Sequence, residues 1–106
     1  MKAAVFHEPN KPLSIEEVET PKIKTNEILV KIAACGVCNT DLHYIDHGVS
    51  TFKKPPMILG HEPSGIVEEV GADVNDFKAG DRVLIPPVFS CGYCVKIGRA
   101  SCRERV

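Results

Sequence analysis

The stretches KAAVF, LSIEEV, EILVKIAA, SGIVEEVG and DRVLIPP are short, rich in β-branched or alternating residues, and each is bounded by Gly, Pro, Asn or Asp. That pattern predicts a mainly β chain, a small antiparallel barrel or sandwich. Pro9, Pro12 and Pro21 break the early part into brief pieces, and NDFKAGDRV carries the turn residues expected just before a strand. With 106 residues at 43% hydrophobic, the chain can build one modest core but falls short of two typical domains. Between EILVKIAA and MILG, the segment NTDLHYIDHG predicts a short helix, capped by Asn39 or Thr40 and ended by Gly48.

Charge narrows the choice of partner. Thirteen basic residues against fourteen acidic give a formal charge of −1, with no run of like sign, so neither nucleic acid nor an anionic membrane is favoured. The opening MKAAVFHEPNKPLSIEEVET lacks the apolar stretch of a signal peptide, and no later run approaches the roughly 20 residues needed to span a bilayer. A cytoplasmic location is therefore expected. Five cysteines, an odd number and partly in CxxC spacing, read as metal ligands or free thiols rather than as a disulfide framework.

The segment ACGVCNTDLHYIDHG gathers the chemistry. Cys38 falls at the entrance of the expected helix, where the positive end of the dipole favours thiolate, the form that binds zinc. In ILGHEPSG, His61 and Glu62 stand between Gly60 and Gly65, glycines that let the backbone turn tightly around a site. A cysteine and a histidine from different loops, each near a carboxylate able to orient the ring, suit zinc. Two ligands are too few, because a catalytic zinc takes about three protein ligands and an open position. On residue chemistry alone the alternatives stay open: a buried thiol for Cys38, a core histidine for His61, a helix cap for Thr40, a dipole-complementing carboxylate for Asp41 and a surface ring for His43.

CGVCNTDLH, GHEPSGIVEEVG and KAGDRVLIP occur in the order and at the spacing of the amino-terminal domain of zinc-dependent alcohol dehydrogenases. The chain resembles this medium-chain dehydrogenase family over roughly Lys2 to Cys94, as a truncated fragment. The resemblance implies a GroES-like β-barrel with short helices, and Cys38 and His61 as ligands of a catalytic zinc whose third ligand comes from a later stretch. It further implies that Thr40 accepts the alcohol proton and that His43 passes it towards solvent through the cofactor ribose. Asp41 would hold the imidazole of His61, and Glu62 would lie close behind the metal. Asn39 would approach the cofactor pyrophosphate. Cys35 is expected to be a buried thiol behaving as a hydrophobe, while His7 and His47 lack motif support and are expected at the surface.

Cys91 and Cys94 match the first half of the family's four-thiolate structural zinc site, but position 97 holds Ile97 in place of the next cysteine. The tail IGRASCRERV, written as ATC GGA AGA GCG TCG TGT AGG GAA AGA GTG, reads as a short-read sequencing adapter. The expected organisation is thus a partial GroES-like catalytic domain over residues 1–96 and a non-native tail over 97–106, the rival being a genuine tail in which Cys102 serves as a third thiolate. No GxGxxG follows a strand, so the NAD or NADP site implied by the resemblance would belong to a domain outside these residues, and the isolated chain is expected to be inactive. The parent would oxidise a small alcohol to an aldehyde or ketone as a homodimer or homotetramer. Polyol, threonine and formaldehyde dehydrogenases share the motifs. A different class of reading is a stand-alone zinc-binding interaction module; TDLH and GHE speak against it, since such a module needs no hydroxyl and histidine around an open metal position.

Overall fold

The computed structural model describes residues 1–51 and 53–87. Its elements in chain order are β1 (Lys2–Phe6), β2 (Ser14–Glu17), β3 (Ile28–Cys35), α1 (Asn39–His47), β4 (Met57–Ile58), β5 (Pro63–Val70) and β6 (Arg82–Leu84). The strands form two antiparallel three-stranded sheets, ordered β2-β1-β4 and β3-β5-β6. This is a mainly β architecture, as the sequence predicts, with one short helix among the described residues.

In β5 the side-chain period of 2 is plain: Gly65 and Val67 are buried while Ile66 and Glu68 face outward. Pairing runs from Ile28 opposite Val70 to Cys35 opposite Pro63, with irregularities between Leu29 and Val30 and between Ile32 and Ala34. Such breaks bend a strand and re-aim its side chains, and here they precede the exit of β3 into the site. β1 delivers its last two residues, Val5 and Phe6, to the core, where Val67 of β5 is also buried.

β4 was not foreseen, because two residues carry no readable period. It pairs Ile58 with Val5 and Met57 with Phe6, and so carries the chain along β1 before the turn that holds His61. The loop after β1 meets the end of α1, where the Asn10 N–H donates to the Ile45 carbonyl at 2.6 Å. Carbonyls of the last helical turn have no partner within the helix, so this bond fixes the helix against the first sheet.

Candidate metal centre

Helix α1 begins one residue earlier than its sequence predicts. Cys38, not Asn39 or Thr40, is the N-cap, with extended backbone at φ −100 and ψ 151. The reason lies three residues on: Asp41 Oδ2 accepts the Cys38 N–H at 3.1 Å, closing the first turn around the cysteine. At the other end Gly48 adopts the left-handed conformation, φ 63 and ψ 25, and returns its N–H to the His43 carbonyl, as the glycine signal implied.

Asp41 is the buried charged residue among those described. Its second oxygen, Oδ1, lies 3.4 Å from His61 Nδ1, so one carboxylate touches both the backbone of Cys38 and the ring of His61. The other ring nitrogen, Nε2, is 3.9 Å from Glu62 Oε1. The Sγ of Cys38, a nitrogen of His61 and a carboxylate oxygen of Glu62 lie within 4.8 Å of one another. Glu62, the residue directly after the histidine, thus brings a third candidate donor atom beside Cys38 and His61. Thiolate, imidazole and carboxylate from converging segments fit zinc, which takes all three donor types.

The electrostatics agree with a donor set. The Cys38 thiol is held below its ordinary value of 9.0, first by hydrogen bonds from the hydroxyl and backbone N–H of Thr40 and then by His61. Thr40 Oγ1 is 3.5 Å from the sulfur. The imidazole of His61 is raised above 6.5, first by its hydrogen bond to Cys38 and then by the charges of Asp41, Cys38 and Glu62. The hydroxyl of Thr40 thus adds a specific contact to the helix dipole at Cys38.

Other residues fall less centrally. Asn39, Thr40 and His43 are exposed on α1, and three-residue spacing puts Thr40 and His43 side by side on one face. The ring of His43 lies 5.2 Å from that of His47, which is also exposed. His7 pairs with Glu16 at 2.5 Å on the surface. Cys35 departs from expectation: it is exposed, because it ends β3 where little packs over the strand. Cys91 and Cys94 lie outside the described residues, as does the tail 97–106. No helix among the described residues is long and apolar enough to cross a membrane.

Similarity to known proteins follows the same residues. An alcohol dehydrogenase of Geobacillus stearothermophilus is 53% identical over 95 residues, a match spanning 89% of this chain and 28% of that relative. The apo form of zinc-dependent alcohol dehydrogenase 2 from Streptococcus pneumonia superposes with a TM-score of 0.80 at 44% identity, covering 91% of this chain and 27% of that one. A Sinorhizobium meliloti 1021 protein described as a zinc-binding dehydrogenase, solved with NADP bound, gives a TM-score of 0.73 at 40% identity, covering 90% and 27%. The chain therefore spans little more than a quarter of the length of the relatives it matches. Residues 24–105, which include the helix, the GHE turn and the strands between which they hang, match the family described as Alcohol dehydrogenase GroES-like domain, and the chain belongs to that oxidoreductase family.

Proposed function

We propose that this chain is the zinc-holding part of an enzyme that oxidises a small alcohol to an aldehyde or ketone with NAD or NADP. The observation that carries the reading is the convergence of Cys38, His61 and Glu62 within 4.8 Å, with Asp41 hydrogen-bonded to the first and paired with the second at 3.4 Å. Cys38, His61 and Glu62 would hold zinc, which when bound acts as a Lewis acid on the alcohol oxygen. Asp41 keeps the Nδ1 proton of His61 in place, leaving Nε2 free to face the metal. Thr40, beside Cys38, takes the alcohol proton, and His43 on the same helix face delivers it to solvent, a task suited to an imidazole that titrates near neutral pH. Asn39, exposed at the first helical position, offers an amide to the cofactor pyrophosphate. Cys91 and Cys94 are read as half of a structural zinc site. Alone, the chain does not turn over alcohol, since no GxGxxG is present in it to receive the dinucleotide.

The test has two readouts. Metal analysis of the purified chain should find zinc that Cys38→Ser and His61→Ala remove. Residues 1–87, grafted in place of the matching segment of the Geobacillus stearothermophilus relative, should support alcohol-dependent NAD(P) reduction that the same substitutions abolish. A chain that holds no zinc sinks the metal reading. Zinc retained together with an active graft indifferent to Cys38→Ser sinks the catalytic one.

A further inference from the structure

The end of β3 and the turn before β5 interlock. A Cβ placed on Gly60 would come within 2.9 Å of Cys35 Sγ, while one placed on Gly36 would overlap Glu62 Oε2 and lie 3.2 Å from Glu62 Cβ. Each segment thus sets a side chain against the other's glycine, and between them the Gly36 N–H donates to the Glu62 carbonyl at 3.1 Å. The carboxylate of Glu62 lies in this gap, with Oε2 where a Gly36 side chain would stand and Oε1 at 3.9 Å from His61 Nε2.

We propose that Gly36 is a positioning residue of the metal centre: its missing side chain leaves the slot that keeps the Glu62 carboxylate beside Cys38 and His61 as the third donor. The inference rests on the zinc reading above. The physical reason is the asymmetry of what an added methyl would meet. Gly36 is not among the positive-φ glycines, so alanine there meets no backbone strain. The atom in the way is the far end of a flexible, half-exposed glutamate, which can swing into water while the strand stays put. Gly60, at φ 114, would be strained by any side chain and does not isolate the effect.

Zinc affinity of the full chain, read by competition with a chromophoric chelator, tests this, with far-ultraviolet circular dichroism reporting the fold. Gly36→Ala should keep the fold and weaken zinc binding by about 10–100-fold. Glu62→Gln should weaken it comparably, and the double variant no further, because both remove the same donor. Unchanged affinity in Gly36→Ala beside a weakened Glu62→Gln overturns the positioning role alone. Unchanged affinity in Glu62→Gln removes Glu62 as a donor and this inference with it, whereas unchanged affinity in Cys38→Ser marks failure of the zinc reading itself. Should Gly36→Ala fail to fold, the variant carrying Gly36→Ala with Glu62→Ala decides: recovery of the fold supports the slot, and continued unfolding overturns it.

Discussion

Asp41 serves two donors at once, and its burial is what makes that arrangement firm. A carboxylate removed from water must be hydrogen-bonded or paired, and here Oδ2 accepts the N–H of Cys38 while Oδ1 lies 3.4 Å from the Nδ1 of His61 as an ion-pair contact. In the zinc reading, the Cys38–His61 pair sets the pH response of metal uptake. Because the imidazole of His61 is raised above 6.5, imidazolium persists to higher pH than in a free histidine, and a metal must displace that proton. The lowered thiol of Cys38 makes its own proton easier to lose. Zinc affinity should therefore fall on acidification with a first midpoint above 6.5, by about tenfold per pH unit for each proton displaced. Chelator competition across about pH 5–9 measures this, and a midpoint at or below the ordinary histidine value contradicts it.

At the scale of elements, α1 brings Cys38, Thr40, Asp41 and His43 into register. Its start depends on the Cys38–Asp41 bond and its end on Gly48. An alanine at 48 must hold φ near 63 against its own Cβ, so Gly48→Ala should cost about 1–2 kcal/mol of stability. Urea unfolding followed at the helix band measures it, and a midpoint unchanged from the wild type means that Gly48 does not set the helix end. The two-residue β4 illustrates the opposite case from α1. Nothing local marks it as a strand; it is one because Val5 and Phe6 offer an edge to Ile58 and Met57.

At the scale of the whole molecule, the hydrophobic core of the described residues is thin. Val5, Phe6 and Val67 are its buried apolar side chains among the described residues, whereas Ile66 and Leu84 lie exposed on one face of the β3-β5-β6 sheet. So small a core makes each member decisive. Phe6, 2% exposed, should cost about 3–5 kcal/mol when replaced by alanine, a loss of the order of a small domain's total stability. Phe6→Ala is expected to abolish the cooperative urea transition at room temperature. A transition of the same midpoint and slope would mean that β1 is held by something other than this side chain.

Local chemistry in the sequence was enough for the strand segments around β1, β3, β5 and β6 and for the helix ending at Gly48, each written in neighbouring residues as alternation or a turn glycine. Cys38 and His61 as zinc ligands are implied by the family resemblance, their side-chain chemistry alone leaving a buried thiol and a core histidine open. The exposed Cys35, the strand β4 and the arrival of Glu62 beside Cys38 and His61 were decided by tertiary structure. They depend on which distant backbone lies across from β3, and two segments that touch at Gly36 and Glu62 are separated by the whole of α1 and β4. A residue's chemistry is a property of its side chain, but the few ångströms that turn donors into a site are set by packing between elements that no local pattern records.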